Sequence, residues 1–308
     1  MATITAALVK ELRESSGAGM MDCKKALTES DGNLEAATDW LRQNGLSAAA
    51  KKSGRIASEG LVGIHVDGGN ASMVEVNAET DFVARNETFK DFVSTVASIS
   101  TANKADLDSV KTAAYPEGGR NVEEQLTHLI STIGENMNLR RAVGLSVSPG
   151  AVGSYLHNAV DEGLGKIGVI VALKSEADAD ALAAFGKQIA MHIAAASPAA
   201  ISQEDMDPAA VQKERDFLVE QAKDSGRPAE IIEKMVDGRM RKFFEESVLV
   251  SQTWVIDGEN KVADIVEAKG KELGSPIEIV GFKRFVLGEG IEKKEEDFAA
   301  EVAAVAGG

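Results

Sequence analysis

One structural order occurs twice in this sequence and constrains its fold more than any other feature: strand, turn, strand, connection, helix. In the first copy, apolar residues alternate at 61–66 and 72–78 around Asp67-Gly68-Gly69-Asn70, whose residues suit a hairpin turn. In the second copy, strands are predicted at 153–157 and 167–173. The repetition predicts an α+β fold with a duplicated core and antiparallel sheets.

A helix with a regular apolar face follows each pair of strands. Asn86 is placed to cap the first of these helices. His65 and His157 fall at comparable points of the two copies, and residues 121–140 between the copies are predicted to be helical before a short strand at 141–145. The apolar residues of the two helices recur at three- and four-residue steps: Phe89, Phe92, Val93 and Val96, then Leu182, Phe185, Ile189 and Ile193.

The N-terminal residues predict three short helices with a thin core. The first ends at residues 15–19, and the third begins near Asn33 and ends at Asn44-Gly45, a favourable left-handed stop. Residues 48–55 then resemble a linker, in part helical.

The last hundred residues interrupt the second copy. Pro208 opens a charged helix, residues 225–228 turn the chain, and a second helix follows, which predicts an inserted antiparallel coiled-coil hairpin. Strands are predicted at 248–250, 253–256 and 277–282, with a short helix around 262–266. A final helix is predicted after Gly288-Glu289-Gly290, with Phe298, Val302 and Val305 on one face.

These patterns divide the chain into six segments. An N-terminal helical domain is followed by the first core unit, the second core unit in two parts around the hairpin, and a C-terminal helical module. The predicted boundaries are 1–54, 55–145, 146–207, 208–246 for the hairpin, 247–286 and 287–308.

The charge balance favours a protein partner. The 308 residues carry a formal net charge of −16, whereas binding to a phosphate backbone needs clustered Lys and Arg. Cys23 is the single cysteine and so has no internal disulfide partner. The stretch MATITAALVKEL lacks the apolar core of a secretory signal. No window approaches the 18 consecutive apolar residues of a membrane-spanning helix. We therefore expect a cytoplasmic protein that binds neither membranes nor nucleic acid directly.

No motif of the sequence predicts catalysis, a metal or a cofactor. Gly17-Ala18-Gly19 before Lys24-Lys25 lacks the spacing and the preceding strand of a phosphate-binding loop, and the glycines at 163, 165 and 168 precede a strand. The four histidines have no metal-ligand spacing, and no G-x-S-x-G elbow occurs. His128 and His192 are predicted to be ordinary helix residues, and for His65 a solvent-facing strand position is favoured over a contact role.

The stretch Ala78 to Asn86, AETDFVARN, allows two interpretations. In one, Thr80 or Asp81 caps a turn and Phe82 enters the core, which requires the preceding strand to continue. In the other, the strand ends and Phe82 is held on a rigid connection as an anchor for the pocket of a partner.

Several long motifs resemble the bacterial elongation factor Ts family, the guanine nucleotide exchange factors for elongation factor Tu. The resemblance covers essentially the whole chain, with the motifs in the order of the family. They are LVKELRESSGAGMMDCKKAL (8–27), EVNAETDFVARN (75–86), IGEN (133–136), GSYLH (153–157), MHIAA (191–195), EKMVDGRM (233–240) and GEGIEK (288–293).

The resemblance implies an N-terminal domain like ubiquitin-associated (UBA) domains, a two-part core, a coiled-coil hairpin and a C-terminal helical module. It also implies that Asp81 and Phe82 enter the nucleotide-binding domain of elongation factor Tu, in its GDP-bound and nucleotide-free states, near the magnesium and phosphate site, with Thr80 and Val83 completing the segment. Further partner contacts are implied for Arg13, Met20, Met21, Lys24, Ile133, Gly134 and His157.

One departure from the family concerns His157. Some members pass from this histidine to the next strand in a few residues, whereas Asn158 to Lys166 intervene here. Two other functional classes compete with an exchange factor: an acidic binding module that does not change nucleotide affinity, and an enzyme whose site is built from scattered histidines and acids.

Overall fold

A computed structural model describes residues 4–116, 118–223 and 228–292. Three helices begin the chain: α1 (Ala6–Ser16), α2 (Met20–Glu29) and α3 (Leu34–Lys52). Gly17, in the left-handed conformation, ends α1 as predicted. The small core between the helices is formed by Leu12, Cys23, Ala26, Leu27 and Ala37, with partly buried apolar residues around them.

The first core unit contains a hairpin, a covering helix and a third strand. The hairpin pairs Glu59 with Ala78 and Asp67 with Asn70, and the third strand lies beside the second. Asn86 caps the covering helix by accepting a hydrogen bond from Phe89 N, as predicted. The elements are β1 (Glu59–Asp67), β2 (Asn70–Ala78), α4 (Glu87–Ala102), α5 (Leu107–Thr112), α6 (Val122–Ile133) and β3 (Met137–Ser146).

Two predicted boundaries in this part of the chain are wrong. The third strand begins at Met137 and not at residue 141, because Gly134 adopts a left-handed conformation that ends α6. Helix α3 runs through Asn44-Gly45 to Lys52. Gly45 lies against α6, where an added Cβ would be 3.5 Å from Ser131 Oγ, so tertiary packing overrides the local stop signal.

The second core unit repeats the order of the first. Strands β4 (Gly150–His157) and β6 (Ile167–Lys174) pair antiparallel, α7 (Ala179–Ala196) covers them, and β7 (Glu278–Val286) pairs beside β6. A two-residue strand, β5 (Leu164–Gly165), leaves this unit and pairs with β1 of the first. The sheet orders are β3-β2-β1-β5 and β4-β6-β7.

Glycines identify the equivalent positions of the two copies. Gly60 and Gly150 have φ values of 121° and 147°, and a Cβ on either would be 2.1 Å from a carbonyl oxygen of the adjacent strand. Counting from these glycines, His65 is equivalent to Tyr155. The predicted equivalence of His65 and His157 is therefore wrong by two residues.

The two sheets pack face to face, and helices cover their outer sides. Val62, Met73 and Ile170 are among the fully buried residues between the sheets. The core under α4 and α6 includes Phe89 and Phe92. The core beneath α7 includes Phe185 and Trp254. The described chain is thus a mixed α and β fold with antiparallel sheets.

A pair of long helices is inserted between α7 and β7. They are α8 (Pro208–Lys223) and α9 (Ala229–Ser247), and they pack on each other through Leu218, Ala222, Val236 and Met240. The predicted turn residues 225–227 lie outside the described residues, as does the predicted final helix with Phe298, Val302 and Val305.

The segment after α9 contradicts two strand predictions. Residues Leu249–Ser251 form a single 3-10 turn, and residues 253–256 enter a tight loop in which Trp254 N donates to Asn260 O. Trp254 is buried and stacks on His192, with ring centroids 5.2 Å apart. The apolar residues that suggested strands thus fill the core from a loop. Helix α10 (Val262–Leu273) follows and is longer than predicted.

Across the three described stretches, no helix combines the length and apolar character that crossing a bilayer requires.

Candidate partner-binding site

Phe82 projects from the connection between β2 and α4. Strand β2 ends at Ala78, and the Phe82 side chain is 76% exposed, whereas the next two residues, Val83 and Ala84, are only 3% and 2% exposed. Of the two interpretations of this stretch, the structure supports the one in which the strand ends and the ring faces outward. Val83, predicted as a partner contact, lies beneath the segment in the core of the first unit.

The backbone around Phe82 is a short turn with internal hydrogen bonds. Arg85 N donates to Phe82 O at 3.1 Å, and Asn86 N donates to Val83 O at 2.9 Å. Asp81 pairs with Arg85 at 3.2 Å, and both side chains are exposed. Because Asn86 also caps α4, the segment continues directly into a rigid helix.

Glu135 holds the other side of the Phe82 segment. Its carboxylate accepts hydrogen bonds from Thr80 N at 3.0 Å and from Thr80 Oγ1 at 2.6 Å. Glu79 accepts from Asn136 N and from Arg55 Nη1, while Asn136 Nδ2 donates to Arg55 O at 2.7 Å. These reciprocal contacts, here called the Thr80 clamp, join residues 55, 79–80 and 135–136.

Sequence reasoning missed the clamp. Glu135 and Asn136 stand in the IGEN motif, but only Ile133 and Gly134 of that motif were predicted as partner contacts. In the structure Ile133 is partly buried and Gly134 is exposed at the end of α6, immediately before the clamp. The signal available in the sequence was a pair of polar residues following a helix stop, with no local partner for their side chains.

His157 lies exposed at the end of β4, where the Tyr155 hydroxyl is 3.2 Å from its Nδ1. The loop after it, residues 158–166, crosses to the first core unit. Leu164 is buried in the core of that unit, and Lys166 Nζ donates to Gly60 O at 3.1 Å. The long loop therefore fixes His157 relative to the first unit.

Lys90 attaches the same loop to α4. Its ammonium lies 2.8 Å from a carboxylate oxygen of Asp161 and 2.8 Å from one of Glu87. Hydrogen bonds to Asp161 and Glu87 raise the pKa of Lys90, and the bond from Lys90 lowers the pKa of Asp161. Since α4 begins five residues after Phe82, this ion pair connects the His157 loop to the helix that supports the projecting ring.

The predicted contacts of the N-terminal helices lie on α1 and α2. Arg13, Met20, Met21 and Lys24 are all exposed on α1 and α2. Helix α3 seats these helices on α6, with Arg42 paired to Glu124. Helix α6 in turn ends beside Glu135, so it connects the N-terminal helices to the clamp.

The remaining histidines have internal contacts. His65 is partly buried, and its Nδ1 is 3.0 Å from Thr101 Oγ1, so the predicted solvent-facing position is wrong. His192 on α7 is fully buried between Gln252 and Val255 N, and its burial lowers its pKa. Within the described residues, no group of three or more His, Cys, Asp or Glu side chains is arranged to hold a metal ion.

Comparison with known proteins shows which family the chain belongs to. A family model described as elongation factor Ts matches residues 79–289, a stretch that begins at Glu79 of the Thr80 clamp. The chain belongs to the elongation factor Ts family. Its resemblance to that family is thereby confirmed, and it is a protein of translation elongation.

Curated relatives match along almost their whole length. Elongation factor Ts of Rhodospirillum rubrum is 64% identical over 305 residues, which cover 99% of both chains. Elongation factor Ts of Paramagnetospirillum magneticum is 59% identical over 307 residues, covering 100% of this chain and 98% of the relative. Elongation factor Ts of Gluconobacter oxydans is also 59% identical over 307 residues, covering 100% and 99%.

Proposed function

We propose that this protein is a guanine nucleotide exchange factor that binds elongation factor Tu with GDP, disturbs its magnesium and phosphate site, and promotes GDP release. It does so as a binding protein, with no catalytic group or cofactor of its own. The observation that carries the proposal is an exposed phenyl ring on a braced turn, in a chain of the elongation factor Ts family.

The finer architecture belongs to the same proposal. The N-terminal helices act as a UBA-like domain, α8 and α9 as a coiled-coil hairpin, and residues 287–308 as a C-terminal module that docks on the partner. The segment boundaries predicted above and a cytoplasmic location are parts of it.

The ring acts by competing with the arrangement that holds magnesium. A GTPase grips its nucleotide partly through a magnesium ion that bridges phosphate oxygens and protein ligands. When Phe82 enters between the elements that carry those ligands, the nucleotide-free partner gains apolar contact, whereas the nucleotide-bound partner has to distort. Asp81 orients the segment through its pair with Arg85.

The size of the effect follows from the area that one ring can bury. Burying one Phe side chain stabilises by about 1.5–3 kcal/mol, and each 1.4 kcal/mol is about tenfold in an equilibrium constant. Phe82 therefore supplies about ten- to a hundredfold of coupling. Since coupling between two ligands is reciprocal, incoming GTP expels the factor to the same extent that the factor weakens nucleotide binding.

The wider interface supplies the rest of the binding free energy. We assign this role to Thr80 in the segment, to Arg13, Met20, Met21 and Lys24 on the N-terminal helices, and to Ile133, Gly134 and His157. Val83, which is buried, supports the segment from the core and does not contact the partner directly. Residues 133–134 and His157 suit it because they lie on elements that are fixed to the first core unit, as Phe82 is.

Phe82→Ala tests the proposal. The variant should keep its fold, because the side chain is exposed, and should accelerate GDP release from elongation factor Tu about ten- to a hundredfold less than the wild type. Stopped-flow release of a fluorescent GDP analogue measures this. Ile256→Ala, which truncates an exposed apolar side chain on the loop before α10, is the matched control and should act as the wild type.

Two outcomes would overturn the proposal. One is wild-type release with Phe82→Ala. The other is a complex with elongation factor Tu that persists unchanged as GDP is raised, because a binding module without exchange activity would keep its partner.

A further inference from the structure

We infer that Glu135 is a positioning residue for exchange: it sets the place of Phe82 through Thr80 and touches no nucleotide-site group itself. This inference rests on the proposed function. It gives a role to a residue that lies outside the exposed surface of the segment.

Because Phe82 is 76% exposed, its own packing does little to fix the direction of the ring, and the backbone on both sides determines where it points. On the C-terminal side, Val83 and Ala84 are buried and Asn86 caps α4. On the N-terminal side, β2 has ended, and the hydrogen bonds of Thr80 to Glu135 hold the chain two residues before the ring. Without Glu135, the nearest fixed residue on the N-terminal side would be Glu79, three residues before the ring, which accepts from Asn136 N.

A carboxylate suits this task better than other side chains. Thr80 presents two donors, its backbone N–H and its hydroxyl, and each reaches a different oxygen of Glu135. Hydrogen bonds to a charged acceptor are shorter and stronger than those between neutral groups. The two bonds fix both the backbone and the side chain of Thr80, which a single contact would leave free to rotate.

The same residue joins two predicted parts of the partner interface. Glu135 directly follows Gly134, whose left-handed conformation ends α6 and turns the chain toward Thr80. A partner that contacts residues 133–134 therefore lies next to Glu135, whose carboxylate holds the Phe82 segment. Positioning of Phe82 and contact at the end of α6 then change together.

A double-mutant cycle with Phe82→Ala tests the inference. Glu135→Ala should lower the GDP release rate at saturating factor about tenfold, because Phe82 is no longer held in place. In the Phe82→Ala background, Glu135→Ala should change the rate by less than about twofold, since residues that act through one another are not additive. Glu135→Gln should restore most of the rate, because its amide can accept from Thr80 N and donate to Thr80 Oγ1.

Two further variants separate positioning from general effects on the fold or charge. Glu123→Ala, an exposed acid on α6, removes the same charge and should leave the rate unchanged. Thr80→Val, which removes the hydroxyl from the other side of the contact, should reproduce part of the Glu135→Ala loss even if Glu135→Ala does not fold.

Each outcome decides one claim. If elongation factor Tu releases GDP at the same rate with Phe82→Ala as with the wild type, the proposed function is overturned, and the inference is overturned with it. The positioning role alone is overturned if Phe82→Ala slows GDP release from elongation factor Tu while Glu135→Ala and Thr80→Val leave it at the wild-type rate. It is also overturned if Glu135→Ala lowers the rate equally in the wild-type and Phe82→Ala backgrounds.

Discussion

Phe82 and Phe89 are seven residues apart, and their surroundings give the same side chain opposite roles. Phe89 lies on the buried face of α4 and is fully enclosed, whereas Phe82 stands on the turn before the helix and faces outward. Buried aromatic rings supply stability, and exposed ones are enriched where partners bind. At the scale of single residues, the proposed role of Phe82 depends on where β2 ends and α4 begins.

His128 is a second residue whose surroundings matter. It lies on α6 against the turn that follows α1, where a Cβ added to Gly17 would be 3.1 Å from its Nε2. Burial, and to a smaller extent the positive charge of Arg120, lowers the pKa of His128 to about 4. The neutral imidazole is therefore the form that fits between the N-terminal helices and α6.

The low pKa of His128 predicts a loss of stability in weak acid. Below its ordinary pKa of 6.5 the unfolded chain binds a proton that the folded chain does not take up until about pH 4, so stability falls as pH drops through this window. His128→Gln should remove this loss: between pH 7.5 and 5.5, wild type should lose on the order of 1 kcal/mol more than the variant. Urea unfolding at the two pH values measures it, and equal losses would contradict the prediction.

At the scale of elements, the loop from residue 158 to 166 ties the second core unit to the first. It follows His157, pairs Gly165 with Val62, and buries Leu164 under α4. Loops usually lie on the surface and vary, but this one contributes a strand to the neighbouring sheet. The added length of the connection therefore fixes the position of His157.

Charge reversal across Lys90 and Asp161 tests this attachment. Lys90→Glu and Asp161→Lys should each speed amide hydrogen exchange in residues 158–163, because like charges replace the ion pair. Because the Asp161 side chain is half exposed, the pair contributes only modestly, and the change should be about fivefold at most. The double variant should recover most of the protection. Equal exchange in all four proteins would show that the strand pairing alone holds the loop.

At the scale of the whole molecule, Glu75 joins the two core units. This fully buried carboxylate on β2 accepts hydrogen bonds from Arg140 and Arg141 on β3 and from Gly288 N after β7. Arg141 also lies 4.0 Å from the centroid of the Phe285 ring on β7. Burial alone would raise the pKa of Glu75, but the hydrogen bonds from Gly288, Asn77 and Arg141 lower it overall. The start of the predicted C-terminal module is thereby fixed to the first unit.

Glu75→Gln should destabilise the whole molecule. The amide cannot satisfy the surrounding donors, leaves Arg140 without its carboxylate partner, and leaves Arg141 only the half-exposed Glu289 at 3.7 Å. Removing one partner of a buried ion pair costs about 3–5 kcal/mol. Thermal unfolding should show a clear decrease in Tm. The exposed Glu278→Gln on β7 is the control, and an equal Tm for both variants would contradict a joining role for Glu75.

Local patterns in the sequence were enough to predict several parts of this protein. The two hairpins, the covering helices and the Asn86 cap depend on interactions within a few residues, so periodicity and capping rules apply to them. The end of β2 before Phe82 was one of two interpretations that these local rules left open, and the structure supports it. The family motifs, which are also local strings of residues, indicated membership that the comparisons confirm.

Tertiary structure alone decided the features that join distant parts of the chain. Glu135 reaches Thr80 across 55 positions, and Leu164 enters a core formed mainly by earlier residues. Helix α3 continues past Asn44-Gly45 because α6 lies against it, and Trp254 is buried from a loop because His192 and the core beneath α7 receive it. A local pattern in the sequence indicates which side chains are buried or hydrogen-bonded in the fold. It does not record their partners, because those depend on how the whole chain packs.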